Sequence, residues 1–455
     1  MYRLIIIFSL ILLVRAGNTQ DFKTVDKETY NLYLEKDWDE LIRAGKVGLK
    51  QDIDYYYLRM RMGIAYYETK NYKASQAHFR KALEFNVGDP VALEYLFYAY
   101  LLAGQTVQAG ILAKDFSPAL METINPPTGK VVDRLALEYL YNVNDTKDLL
   151  SDPGQYFSGL PSGYQLVTLH YSNLNAMLHH VFRPGFTLTH AYTYLNKTNY
   201  YYYDDGLSRY GFNDQKVFQH QYYISPALTT KHGFTIAPSF HYLRISFRAP
   251  YLISGAGGPG PGGGGGSIGY SDLNSNQYVG GLTLSQFVGR FMIRLGGIYS
   301  SINNAKQVTG TAGLTWYPMG NLDLYLGTAL NVHTGITDHT NSVDHETNIE
   351  LIPDVLIGFG IASRVWLEFS GSYGNMRNYT ERNGYIVYNG LDWMKYKAIG
   401  TVVMPVTPEG SNVYLGARFA ENKSLFMPLD PSAGQEINSI ISNSISIFGG
   451  LSWKF

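Results

Sequence analysis

The end of the chain alternates with a period of two. Ile441, Ile445, Ile447, Leu451, Trp453 and Phe455 fall on one face, and Ser442, Ser444, Ser446, Gly450, Ser452 and Lys454 fall on the other. Only an extended strand sends successive side chains to opposite sides, so this segment folds as a strand with one oily face and one polar face. Three further stretches behave alike. Leu322, Leu324, Leu326, Leu330 and Val332 alternate with Asn321, Asp323, Tyr325, Asn331 and His333. Val365, Leu367, Phe369 and Tyr373 alternate with Arg364, Trp366, Glu368, Ser370 and Ser372. Val413, Leu415, Ala417 and Phe419 alternate with Asn412, Tyr414, Gly416 and Arg418. Runs of roughly 10 residues match a tilted strand crossing hydrocarbon, whereas soluble strands average roughly 5–6.

This reading extends over the back of the chain. It predicts strands near 184–198, 213–229, 232–248, 274–288, 290–302, 305–317, 321–334, 344–359, 363–375, 391–406, 411–422 and 438–455. Tight turns at 230–231, 289, 318–320, 360–362 and 407–410 alternate with long loops at 199–212, 249–273, 335–343, 376–390 and 423–437. Short turns on one side and long loops on the other are the mark of an outer-membrane barrel. The link at Asn303-Asn304 breaks that rule by being short. Twelve strands are expected from residue 184 to 455. Tyr164–Leu174 also alternates, and makes fourteen if it has a partner. A soluble sandwich alternates too, but the meander order and the mixed charged and aromatic inner face favour a closed barrel, the one sheet that satisfies every backbone group in lipid. The expected lumen-facing set is Asp323, Tyr325, Arg364, Trp366, Glu368, Tyr414 and Arg418. Mixed signs and bulky rings there predict a narrow or plugged interior without strong charge selectivity.

The front of the chain differs. Residues 21–123 carry 13 Lys+Arg and 15 Asp+Glu, whereas the 332 residues that follow hold 43 charges in all. Amphipathic spacing predicts helices at Tyr56–Thr69, Tyr72–Phe85, Val91–Ala103 and Val107–Phe116. Asp89-Pro90 supplies an N-cap and a first-turn proline. Ahead of them, Arg3 and the apolar run Leu4–Val14 read as a secretory signal over residues 1–20, too short to span a bilayer. Residues 124–183 read as a junction, in which Val131–Tyr141 is ambiguous.

Composition removes several functions. The formal charge of −1 gives no electrostatic case for nucleic-acid binding. The absence of Cys excludes disulfides, thiolate zinc sites and a cysteine nucleophile. Gly255–Gly269 lacks the Lys-Ser/Thr of a phosphate loop and reads as a flexible external loop. His333, Asp338, His339, Asp344, His345 and Glu346 hold metal-ligand chemistry but match no metal spacing. The histidines from His170 to His241 select no serine partner. No catalytic residue, metal site or cofactor is expected.

Helices in the front part recur at 34 residues, with Trp38 and Tyr72 at that offset and Tyr66 and Tyr100 likewise. Gly63, Tyr66, Tyr72, Ser75, Phe79 and Ala82 resemble the tetratricopeptide signature, although Ser75 stands where the motif has alanine and Phe97 where it has glycine. A generic helical bundle is the alternative. Leu451, Trp453 and the terminal Phe455 resemble the signal that barrel-assembly machinery reads. Together these features resemble the tetratricopeptide–β-barrel outer-membrane proteins. The resemblance implies a periplasmic helical domain and a barrel in the bacterial outer membrane. It also implies a non-enzymatic scaffold or accessory subunit, its repeats docking a periplasmic or outer-membrane protein in a secretion, export or barrel-assembly complex. The second reading is a transporter of a polysaccharide or small solute, and the third a lipid-modifying enzyme. Expected partners are outer-membrane lipid, the docked protein and the assembly machinery.

Overall fold

The computed structural model describes residues 21–126, 131–204, 206, 209–253, 267–336, 349–362, 365–390, 392–407, 410–430 and 439–455. The expected signal, most of the glycine-rich loop, the 337–348 loop and Arg364 lie outside the described residues. The chain divides into two units: a helical one, which also takes in Tyr317–Leu322, and a β one.

The helical unit holds α1 (Phe22–Glu35), α2 (Trp38–Lys50), α3 (Tyr56–Glu68), α4 (Tyr72–Phe85), α5 (Pro90–Leu102), α6 (Thr106–Leu112) and α7 (Pro118–Ile124). The first helices of the three pairs begin at residues 22, 56 and 90, and the second at 38, 72 and 106, so both sets are spaced by 34. Side chains fix the starts by taking backbone N–H groups that lack an intrahelical partner. Asp21 accepts from Thr24 at 2.7 Å, Asp37 from Glu40 at 3.2 Å, Asn71 from Ala74 at 3.3 Å and Asp89 from Ala92 at 2.7 Å. No helix among the described residues is long and apolar enough to cross a membrane.

Packing within the central pair depends on a small residue facing a ring. A Cβ on Gly63 would stand 2.8 Å from the Phe79 ring, which is fully buried. Ser75 Oγ donates to the Gly63 carbonyl at 2.9 Å, which accounts for serine at that position: the hydroxyl is buried and satisfied. Trp38, Tyr66, Ala82 and Tyr100 pack in or against the two apolar clusters of the unit, and the Tyr72 ring meets Tyr67 edge-on. Arg61 bridges α3 to α1, bonding Asp26 Oδ1 at 2.8 Å. Burial pushes the Asp26 carboxyl up, but bonds from Arg61 and Tyr55 outweigh it, so it sits below the usual carboxylate range.

The β unit is a closed antiparallel barrel of fourteen strands. They are β1 (Val132–Asn144), β2 (Gly163–Arg183), β3 (Phe186–Asp204), β4 (Arg209–Thr229), β5 (Thr235–Ile253), β6 (Ser267–Val288), β7 (Phe291–Ile302), β8 (Ala305–Trp316), β9 (Leu324–Ile336), β10 (Glu350–Ala362), β11 (Val365–Met376), β14 (Trp393–Pro405), β15 (Asn412–Leu425) and β17 (Ser439–Lys454). A hairpin of β12 (Tyr379–Glu381) and β13 (Ile386–Tyr388) sits between β11 and β14, and a two-residue bridge, β16 (Met427–Pro428), pairs with β2. Closure comes from β1, which pairs on one side with β2 and on the other with β17. Two short helices, α8 (Lys147–Ser151) and α9 (Pro153–Phe157), join β1 to β2.

Fourteen strands replace the expected twelve, because the supposed junction contains both β1 and β2; the barrel therefore begins at Val132 rather than 184. Strand ends are also longer than their alternation suggests. Most of the expected loop at 199–212 is β3 and β4, since Tyr200 and Tyr202 leave the two-residue period at a register shift and pack on Phe157 instead. Short connections at 184–185, 230–234, 289–290 and 406–411 share one rim with both ends of the barrel. The longest ones share the other with two short links, at 205–208 and Asn303-Asn304.

Candidate functional site: the barrel lumen

Alternation makes the barrel polar inside and apolar outside. On β17, Ser442, Ser444, Ser446 and Ser452 are buried while Ile441, Ile445, Ile447, Leu451, Trp453 and Phe455 are exposed. On β1, Leu137, Tyr139, Tyr141 and Val143 are exposed, and Asn142 and Asn144 are buried. The Asn142 amide reaches Ser446 Oγ at 2.9 Å across the seam.

The lumen is crossed by residues 377–390. The chain turns back at Arg382, Asn383 and Gly384, all three at positive φ. Asn-Gly supports such a turn because both residues tolerate the left-handed region. The tip hooks onto β5: Asn383 Nδ2 donates to the Ala237 carbonyl at 2.9 Å, and Ser239 Oγ donates to the Asn383 carbonyl at 2.5 Å. His241 Nδ1 stands 2.8 Å from the Gly384 carbonyl and must carry the proton, since a carbonyl only accepts. Tyr385 Oη donates to Asn175 on β2 at 2.8 Å. Asn389 bonds Gln219 on β4 and Gln277 on β6 at 3.2 and 3.0 Å. At the base, Lys397 of β14 forms a buried ion pair with Glu381 and donates to Tyr388 Oη at 2.8 Å. His333 of β9 donates through Nε2 to the Arg377 carbonyl at 3.1 Å while Thr309 Oγ1 supplies its Nδ1 at 2.8 Å. Six strands on different sides of the barrel thus hold one hairpin.

Around the hairpin lies a cavity of about 780 Å³. Its lining includes five acidic side chains (Glu138, Asp354, Glu368, Glu381, Asp392) and five basic ones (Lys197, Arg294, Arg382, Lys397, Arg418), set among Asn, Gln, Ser, Thr and Tyr. The acids are mostly satisfied by neutral donors. Tyr414 Oη donates to Glu138 at 2.9 Å, Tyr325 Oη to Glu368 at 2.7 Å, and Asn331 Nδ2 to Asp354 at 2.7 Å.

Of the expected lumen-facing residues, Glu368, Tyr414 and Arg418 line the cavity, Arg418 bonding Tyr171 Oη and Ser446 Oγ. Tyr325 reaches it through Glu368 and lies over Gly358, where a Cβ would strike its ring. Trp366 lies beside Gly360 on the same inner face, outside the cavity lining. Asp323 is misplaced: it precedes β9 in the turn, is exposed, and its carbonyl accepts the Gly360 N–H at 3.0 Å. Sequence alternation missed the hairpin and its anchors on β2, β4, β5 and β6. The signal available was Asn383-Gly384 between two short runs of β-formers, Tyr379-Thr380 and Ile386-Val387-Tyr388. Among the described residues no group of three or more His, Asp or Glu is placed to hold a metal.

No family model matches the chain. No curated protein matches it in sequence. Among solved structures, the chain is similar to the toluene transporter TodX of Pseudomonas putida, at 9% identity and a TM-score of 0.42 over 74% of this chain and 92% of that one. It is similar to the toluene transporter TbuX of Ralstonia pickettii, at 9% identity and a TM-score of 0.43 over 78% and 98%. It is also similar to a FadL homologue of Pseudomonas aeruginosa, at 10% identity and a TM-score of 0.41 over 76% and 94%. At such scores the likenesses carry no weight for function, which has to come from this chain's own residues.

Proposed function

We propose that this protein is an outer-membrane transporter that passes small, uncharged polar solutes through the barrel, with the 377–390 hairpin as its constriction. The observation that carries the reading is the hairpin-crossed cavity of about 780 Å³, within the size of small-molecule sites. Its equal numbers of acidic and basic side chains set up no ring of one sign, so ions of neither sign are favoured. Amides, hydroxyls and tyrosine rings suit solutes rich in hydroxyl groups. Membrane insertion follows from the outer surface. Exposed Leu, Ile, Val and aromatic side chains on successive strands form a belt far larger than the few hundred Å² a soluble monomer shows, and a closed barrel is stable in lipid. The rim with longer loops faces outward and the rim with both ends faces the periplasm.

A second reading concerns the helical unit, and the 34-residue spacing of its helix pairs supports it. Residues 21–123 form a short tetratricopeptide-type array on the periplasmic side that docks a partner protein, so transport is one part of a larger assembly. Leu451, Trp453 and Phe455 line the outward face of the last strand, where the assembly machinery would read them.

Conductance across planar bilayers tests the transporter reading. The full chain is expected to give small or transient currents, and a variant lacking residues 379–388 steady currents at least several-fold larger. Equal currents from both would show that the hairpin constricts nothing.

A further inference from the structure

The barrel wall is uneven in height. Tyr192, Tyr222, Tyr242 and Tyr278 lie side by side at one level on β3, β4, β5 and β6 and point outward. Toward the short-turn rim the same face is apolar, with Leu228, Ile236, Phe240 and Leu282 exposed. A tyrosine row above an apolar belt marks the boundary between hydrocarbon and headgroups. Beyond that row β3 continues for twelve residues to Asp204 and β5 for eleven to Ile253, whereas β7 ends three residues after Tyr299. One side of the wall therefore stands well clear of the hydrocarbon.

The outward face changes character at the first step above the tyrosines. There the register sets Tyr194, His220, Arg244 and Asn276 in a row. His220 and Arg244 are exposed, and Tyr192 Oη bonds His220 Nδ1 at 2.7 Å, leaving Nε2 outward. Arg244 has no hydrogen bond or ion pair among the described residues. Two steps further stand Lys216, bonded to Thr198 at 2.9 Å, and Arg248, paired with Asp272 at 3.1 Å with both exposed. Three cationic side chains, Arg244, Lys216 and Arg248, thus climb β4 and β5 from the boundary beside His220, against Asp272 and Asp214 nearby. Adjacent strands lie about 4.8 Å apart and four residues of strand span about 13 Å, so the cations form a compact strip at headgroup height.

We infer that this strip, with Arg244 at its centre, binds the phosphate of a phosphorylated glycolipid in the outer leaflet. The free guanidinium offers a planar fork to phosphate oxygens, Tyr194 and Asn276 flank it with hydrogen-bonding groups, and the apolar belt below receives the acyl chains. This rests on the barrel spanning the membrane, but not on its conducting anything.

Retention of lipid by the full-length protein in detergent, measured by native mass spectrometry, provides the test. Bisphosphorylated lipid A, the same lipid without phosphates, and inorganic phosphate are the probes. Wild-type protein is expected to hold the phosphorylated lipid about tenfold more tightly than the phosphate-free one, the effect of a single charge-assisted contact. Arg244→Gln with Lys216→Gln is expected to remove that preference while keeping the heat-modifiable gel migration of a folded barrel and unaltered bilayer currents. Equal affinities in wild type and the double variant would overturn the proposal. Displacement of the lipid by millimolar inorganic phosphate would overturn its lipid part. Altered currents with unchanged lipid preference would count against both the strip and its separation from transport.

Discussion

The two units bury different mixtures. In the helical unit the interior is dry: Val25, Leu41, Leu58, Met62, Phe79 and Leu96 are almost wholly hidden. In the barrel Asn, Gln, Ser and Thr make up much of what is hidden, beside three smaller apolar clusters around Phe426, Tyr379 and Leu243, while a wide belt of further apolar side chains looks outward. One alphabet serves both because the surroundings differ. Water drives apolar groups together in the first. In the second, hydrocarbon accepts them and the polar groups turn to each other and to the lumen. A helix pair therefore depends on shape, as Gly63 under Phe79 shows, while a barrel depends on completed hydrogen bonds.

Three substitutions test that contrast, from the largest effect to the smallest. Phe79→Ala in the dry interior is expected to cost the helical unit about 3–5 kcal/mol, through lost burial and the cavity left behind, seen as an earlier helical transition by circular dichroism. A loss below about 1 kcal/mol would mean the interhelical core is not what holds the pairs. Ile447→Arg, on the exposed face of β17, is expected to destabilise the barrel by about 2–4 kcal/mol in lipid; no change in denaturant midpoint in vesicles would place that face in water. The smallest effect concerns acid. His78 is stacked on Tyr66 and lies 3.3 Å from Arg59. Burial, helped by the Arg59 charge, pushes its pKa down to about 4. The unfolded chain then binds the proton first, so this group's contribution is complete above about 6.5 and is lost as pH falls toward 4. The slope for one proton is at most about 1.4 kcal/mol per pH unit. His78→Gln should flatten the dependence of helical melting on pH in that window and leave the barrel's untouched.

Much of this was legible in the sequence, and the reasons for the rest are physical. The last strand reads cleanly because its inner face is serine and its outer face isoleucine. By contrast β1 places Ala136 and Leu140 inside and leucines and tyrosines outside, so its alternation is blurred, and its partner β17 lies some three hundred residues away. The helix pairs read well because their caps and small residues are local signals. The hairpin escaped because a polar loop folded into a polar lumen carries the same composition as one folded into solvent; only the wall residues that receive it distinguish the two. Where alternation runs through a strand, as at Glu368 and Arg418, the residues it selects line the cavity; Asp323 stands before its strand begins, where alternation carries no information.

The Asn303-Asn304 link stands out for its brevity, yet its amide is occupied. Asn303 Nδ2 donates to Asn378 Oδ1 at 2.8 Å and to the Asn389 carbonyl at 3.0 Å, one contact on each leg of the hairpin. A connection that has to clasp both legs has no slack to grow, so the mouth is cut low on this flank. The hairpin therefore lies against the wall close to its edge at β7 and β8, while the neighbouring strands β3 to β6 rise beside it as a tall parapet.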